Sequence, residues 1–312
     1  MNENVIYSIN GPVVTVKNAV EFLMLEMVYV GHKRLMGEVI SISKELTTIQ
    51  VYESTTGLMP GEPVYASHQP IQVTLGPGIL RNIFDGIERP LRAISKESGA
   101  FIEIGSAVAP LDEEALWQVN IQVKVNERLT GGQIYATVPE TDLIEHRLMV
   151  PPHMSGEVVW VSENGAYRIH DEVVKLRLDN GEIVGLSLCQ KWPIKTARPV
   201  KERLPISIPL VTGQRIFDTL FPIAKGGTAA IPGGFGTGKT MTQHQLAKWC
   251  DADIIVYVGC GERGNEMTQV LEEFSELVDP KSQKPLTDRT VLIANTSNMP
   301  VAAREASIYT GL

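Results

Sequence analysis

The sequence predicts three modules along the chain: a small N-terminal β-barrel, an inserted β-rich module of barrel-sandwich type, and an α/β domain on a parallel sheet. Three observations carry this. Residues 1–74 hold about six short β-rich runs separated by turn signals. Residues 111–185 show a second series of short strands. Residues 186–312 switch to unbroken apolar runs alternating with helical spacing.

The first module consists of Val5–Ile9, Val13–Lys17, Phe22–Tyr29, Leu35–Ser43 and Thr47–Glu53, followed by Val64–Ser67. Turns fall at Asn10-Gly11-Pro12, Val30-Gly31-His32, Thr56-Gly57 and Pro60-Gly61-Glu62-Pro63. A closed barrel fits this spacing, and an open sandwich fits it too. Residues 75–110 read as a connector. After the turn Leu75-Gly76-Pro77-Gly78, the residues Ile79, Leu80, Ile83, Ile87 and Leu91 predict a short helix within Ile79–Ile94, broken at Pro90.

In residues 111–185 the expected strands are Trp117–Val125, Gln133–Val138, Glu145–Val150, Gly156–Val161, Ala166–Ile169 and Val173–Leu178. Leu129-Thr130-Gly131-Gly132, Glu163-Asn164-Gly165 and Asp179-Asn180-Gly181 read as turns. The pattern resembles a biotinyl-type barrel-sandwich. No Met-Lys-Met attachment site is present, so the module reads as a structural insertion and not as a carrier.

In residues 186–312, Thr228–Ile231 reads as a strand entering a glycine-rich loop, and Lys239–Cys250 as a helix. Ile254–Val258 is a strand covered on both faces. Met267, Val270, Leu271, Phe274 and Leu277 mark one face of a helix. Thr290–Ala294 is another buried strand, and Pro300 opens a helix that runs to the last residue. The sheet reads as unfinished, which raises the question whether 312 residues are the whole protein.

Composition sets the outer bounds. Apolar residues at 43% and charged residues at 21% provide a core and exclude global disorder. A formal net charge of -8 argues against nucleic acid as the main partner. Cys189, Cys250 and Cys260 are too few for a disulfide framework, which suits a reducing cytosolic compartment. No signal peptide is visible at the N-terminus, and no apolar window approaches a membrane span. The four tryptophans, 117, 160, 192 and 249, read as core, and His146, His153 and His244 as ordinary polar or packing residues.

The chemistry concentrates in one motif. Gly233, Gly234, Phe235, Gly236, Thr237, Gly238, Lys239 and Thr240, with Met241 beside them, match the phosphate-loop pattern G-x-x-x-x-G-K-[ST]. Glycines let backbone N–H groups approach phosphate oxygens, and the following helix aims its positive end at the same anion. Lys239 would supply a cation for the β- and γ-phosphates, and the Thr240 hydroxyl can ligate Mg²⁺. The next strand leads into Gly259-Cys260-Gly261-Glu262-Arg263-Gly264-Asn265-Glu266. At the carboxyl end of a strand this segment would line the same crevice. Glu262 would then activate water and Arg263 neutralise charge on the γ-phosphate; the alternative is a surface turn with a solvated ion pair. Glu266 reads as a helix-start acid unless a water links it to the metal. No strand ends in the acidic residue that such sites place beside Mg²⁺, since Thr290–Ala294 runs into Asn295-Thr296.

These residues resemble the catalytic A (alpha) subunit of V-type and A-type rotary ATPases. Gly233–Thr240, Gln243–Trp249, Val258–Met267 and Val291–Gly311 carry the likeness, as do Pro60-Gly61-Glu62-Pro63 and Ile83-Phe84-Asp85-Gly86. Residues 111–185 match the insertion that marks this kind of subunit. The resemblance implies a RecA-like P-loop domain that binds ATP or ADP with Mg²⁺. It implies Lys239, Glu262 and Arg263 as catalytic residues, Thr240 as metal ligand, and Glu266 acting on the metal through water. It further implies a place in an A/B hexamer with B subunits, joined to stalk subunits and to a membrane sector moving H⁺ or Na⁺, on the cytoplasmic face. Gly234 stands where the family has Pro, which loosens the loop without removing a contact. Thr237 stands where some relatives carry Cys, so no redox switch is expected there. Two rival readings are a catalytically inactive fragment and a Rho-type RNA translocase; the -8 charge opposes the second.

Overall fold

The computed structural model describes residues 4–17, 22–99, 105, 108–234, 236–279 and 282–312. Six strands form the first module: β1 (Ile6–Asn10), β2 (Val13–Lys17), β3 (Glu26–Val30), β4 (Leu35–Ile42), β5 (Leu46–Val51) and β6 (Val64–Pro70). They pair antiparallel in the order β1-β2-β5-β4-β3-β6. The ring then closes: Val5 bridges Pro63, and the Ile6 N–H donates to Glu62 O at 2.8 Å. Closure removes the free edges that an open sheet would expose. Alternate residues point inward, so Val14, Val16, Val28, Val30, Ile49 and Val51 fill the barrel. The expected strand from Phe22 starts later, at Glu26, because Leu25 takes a φ of +64° in the turn before it.

The connector differs from its sequence reading. Strand β7 (Gln72–Leu75) leads to β8 (Ile83–Phe84), and the helix described there is α1 (Leu91–Ser98), which begins after Pro90. The Asp85 carboxylate accepts the N–H groups of Ile87 at 3.0 Å and Arg89 at 2.9 Å, offering the backbone an alternative to helical bonds. Arg81 and Glu88 hold φ values of +65° and +64°, outside the helical region. Gly86 lies where a Cβ would come within 2.1 Å of Ala303 O, so the segment packs by close backbone approach.

The inserted module is two facing four-stranded sheets. One orders β10 (Arg128–Thr130), β13 (Ser155–Val161), β15 (Val174–Leu178) and β16 (Ile183–Leu186). The other orders β12 (Glu145–Met149), β11 (Ile134–Pro139), β9 (Trp117–Ile121) and β14 (Gly165–Tyr167). Leu129 and Thr130 thus belong to a strand, and the turn is confined to Gly131-Gly132. The chain leaves through β17 (Gln190–Pro193), which pairs antiparallel with β7 and so returns beside its point of entry. Trp160 and Trp249 are not core: they are 43% and 40% exposed, with Lys175 and Lys248 over their rings.

The last module holds β18 (Pro209–Leu210), α2 (Arg215–Leu220), β19 (Ile223–Ala224) and α3 (Lys239–Trp249). Then follow β20 (Ile255–Glu262), α4 (Gly264–Glu276), β21 (Thr290–Thr296) and α5 (Val301–Gly311). The parallel sheet orders β20-β21-β8. The expected strand Thr228–Ile231 does not form: no described strand pairs with these residues, and a strand exists only through a ladder. One face of the sheet packs Ile255, Leu292 and Ala294 against Met267, Val270 and Phe274 of α4. From the other face Val291 and Ile293 enter the core of the inserted module, with Leu129, Val138 and Val158. Among the described residues, no helix is long and apolar enough to cross a membrane.

Candidate functional site

The glycine-rich loop delivers the chain into α3. Gly236 and Gly238 hold φ values of +75° and +82°, which a side chain would resist, and Gly238 is the N-cap. No side chain caps α3, so its first N–H groups and its positive end face outward. The Lys239 ammonium folds back to donate to the carbonyl oxygens of Gly233 and Gly234, the latter at 2.7 Å. The Thr237 hydroxyl donates to Gly234 O at 2.9 Å. These bonds hold the loop in a cradle from inside. Phe235 lies outside the described residues.

The opposite wall is the end of β20. Sequence reading places Gly259–Glu262 after the strand; the structure continues the strand through Glu262, with a register shift against β21 between Cys260 and Glu262. Glu262 pairs with Thr296, and its carbonyl accepts the Ser297 N–H at 2.8 Å. Its side chain is therefore carried by sheet backbone. Arg263 is the N-cap of α4, and Glu266 stands in the first turn.

The two walls share one cavity of about 530 Å³. Gly234 and Gly236–Met241 line one side, and Gly261, Glu262, Arg263 and Glu266 the other. Gly233 stays behind, beneath the Lys239 ammonium. Burial pushes the Glu262 carboxyl up, and the hydrogen bond and like charge of Glu266 push it further; Lys239 pulls the other way. Arg263 Nη1 lies 4.0 Å from Glu266 Oε1. The cavity thus combines an anion cradle, two cations and a carboxyl that holds its proton more tightly than usual.

Beneath it, His244 of α3 is buried with Nδ1 2.9 Å from Glu273 Oε2 on α4. Glu273 escapes sequence reading because it sits on the polar flank of an amphipathic helix. The signal that would find it is the lack of an apolar stripe on α3, which makes His244 the inward residue. Of the other histidines, His146 pairs with Glu140 at 2.8 Å and His153 is exposed. Cys260 turns its thiol to Arg304 O at 3.2 Å. No cluster of metal-ligating side chains is present among the described residues.

Three family models match in chain order: the β-barrel domain of the ATP synthase alpha/beta family at residues 6–68, the alpha/beta subunit barrel-sandwich domain at 108–195, and the family's nucleotide-binding domain at 213–312. The V-type ATP synthase alpha chain of Halothermothrix orenii is 60% identical over 304 residues, covering 97% of this chain and 52% of the relative. V-type ATP synthase alpha chain 2 of Clostridium tetani is 59% identical over 307 residues, 98% of this chain and 52% of its own length. The corresponding A-type ATP synthase chain of Methanopyrus kandleri, its A subunit, is 53% identical over 307 residues, again 98% and 52%. The chain spans about half the length of the curated relatives it matches. Among solved structures, the assembled ATPase EscN of the enteropathogenic E. coli type III secretion system shares the fold. Its TM-score is 0.57 and its identity 18%, over 99% of this chain and 52% of that one. With three domain models in register along it and relatives of this identity over nearly its whole length, the chain belongs to the ATP synthase alpha/beta family, where it is similar to the alpha chains of V-type enzymes and their A-type counterparts.

Proposed function

We propose that this chain provides the phosphate-binding and water-activating groups of a Mg-ATP site in a V/A-type ATP synthase alpha chain. The observation that carries the reading is the single cavity shared by the glycine-rich loop and the Glu262 end of β20. The N–H groups at the start of α3 bind phosphate oxygens, and Lys239 exchanges the carbonyls of Gly233 and Gly234 for them. Glu262, with its raised proton affinity, takes a proton from the attacking water. Arg263 neutralises charge on the γ-phosphate. The side-chain oxygens on the cavity wall, two hydroxyls and two carboxyls, are of the kind Mg²⁺ takes, and the nearby Cys260 thiol is turned away. Thr240, with Glu266 acting through water, would hold the ion, which supplies charge neutralisation of the phosphates.

In this reading residues 1–74, 75–110, 111–185 and 186–312 act as barrel, connector, insertion and nucleotide module. The partners are B subunits in an alternating hexamer, one giving an arginine to the site, with stalk subunits and a membrane sector for H⁺ or Na⁺. The working place is the cytoplasmic face of a membrane, with no nucleic acid partner. The test is Mg-ATP binding and turnover. Lys239→Ala should abolish nucleotide binding, and Glu262→Gln, placed in an alpha chain of full family length with its B subunits, should bind ATP yet stop turning it over. Unimpaired ATP binding by Lys239→Ala, or normal hydrolysis by Glu262→Gln, rejects the assignment.

A further inference from the structure

We infer that His244 is a positioning residue: through its hydrogen bond to Glu273 it ties the phosphate-loop helix to the helix behind Glu262, and so sets the spacing of the two cavity walls. This rests on the nucleotide reading of the site. Among the described residues of α3, His244 alone is buried, at 4% exposure. One turn before it, Lys239 and Thr240 face the cavity; one helix away, α4 begins at the cavity with Glu266 and carries Glu273 two turns further. Nδ1 of His244 stands 2.9 Å from Glu273 Oε2, and the other carboxylate oxygen is held by Gln269 Nε2 at 2.7 Å. An ionised carboxylate only accepts, so Nδ1 carries the proton and donates. The imidazole also meets the rings of Tyr257 at 5.9 Å and Phe274 at 6.0 Å, both edge-on. Tyr257 lies on β20, the strand that ends in Glu262. One buried ring therefore touches all three elements that build the site: α3, β20 and α4.

The choice of residue points the same way. Nε2 of His244 is buried without a hydrogen-bond partner. A phenylalanine or leucine would fill this space with no orphaned nitrogen, and so would serve packing better. Neither would hold Glu273. A polar side chain at the one buried position of α3 is explained by the bond it makes across to α4.

The experiment uses the whole chain and Mg-ATP as the probe. His244→Phe keeps a buried aromatic ring and removes the donor; it should weaken Mg-ATP binding about tenfold, the worth of one hydrogen bond to a charged group. His244→Asn, which returns a donor near the Nδ1 position, should recover most of that loss. Glu273→Ala should match His244→Phe, and the double variant should be no weaker than either alone. Imidazole NMR adds a readout independent of nucleotide: the Nδ1 proton of His244 should be present in the parent chain and shift in Glu273→Ala. Parental binding by His244→Phe, additive losses in the double variant, or an Nδ1 proton indifferent to Glu273→Ala would each overturn the tether. The Lys239→Ala control separates this from failure of the underlying reading. If that variant binds Mg-ATP undiminished, the phosphate-loop assignment falls first, and the tether falls with it.

Discussion

Glu262 shows how far a single side chain can be read. Its type and its place after an apolar run make it a candidate base from sequence, but nothing in the order of residues says that Glu266 would lie against it. That contact comes from α4 starting directly after the strand, which turns the first-turn acid back over the strand end. Burial and the Glu266 carboxyl both raise the Glu262 pKa. Glu266→Gln removes the like charge and leaves the burial, so the Glu262 midpoint should fall toward the usual carboxylate range without fully reaching it. Carboxyl carbon NMR across an acid titration reads this directly; an unmoved midpoint would assign the whole shift to burial. Lys239 and Thr240 are legible for the opposite reason. Their roles follow from a local motif in which glycines, lysine and hydroxyl act within a few residues of one another.

At the scale of elements, legibility tracks how much of an element's stability is local. Helices α3 and α5 begin where the phosphate loop and Pro300 put them, and helix α4 and the strands β20 and β21 follow their periodic or unbroken apolar patterns closely. Thr228–Ile231 and Ile79–Ile94 do not. The first has strand-forming residues but no described neighbour to pair with; the second has helical spacing but is captured by Asp85 side-chain bonds and by close packing of Gly86 on α5. The turn so formed buries Glu88, whose carboxyl accepts the Thr74 N–H at 2.7 Å and is pushed up to about 8, mainly by burial. The sign follows from linkage. Glu88 binds its proton more tightly folded than unfolded, so its contribution is fully present below the ordinary value of 4.5 and is lost as pH rises through about 8. Glu88→Gln mimics the neutral form and should flatten the fall in Tm between pH 5 and 8. A variant that keeps the parental slope would place the pH dependence elsewhere.

For the whole molecule, the inserted module and the nucleotide sheet are not separate bodies. Val291 and Ile293 of β21 belong to the same apolar cluster as the insertion's own Val138, Val158 and Leu176. Glu140 fastens the joint with polar bonds. Its buried carboxylate accepts from Gly78 N–H at 2.8 Å and Leu80 N–H at 2.9 Å, and it pairs with His146. Burial pushes this carboxyl up, but the His146 contact and the two N–H groups outweigh it and hold it below the usual range. Its stabilisation is therefore present above about pH 4.5 and lost as pH falls through the lowered pKa. Glu140→Ala should cost about 3 kcal/mol, the loss expected when a buried charged partner is removed. Denaturant melts followed at Trp160 in the insertion and Trp249 on α3 should shift together; movement of the Trp160 signal alone would mean that the two modules unfold independently. Sequence shows both modules but not their union, because each alone has a plausible pattern and only the fold brings β21 under the insertion. The shared core has a mechanical consequence. The insertion and β21 share one core and β21 pairs with β20, so a displacement of the insertion is passed to the strand beside the one that carries Glu262.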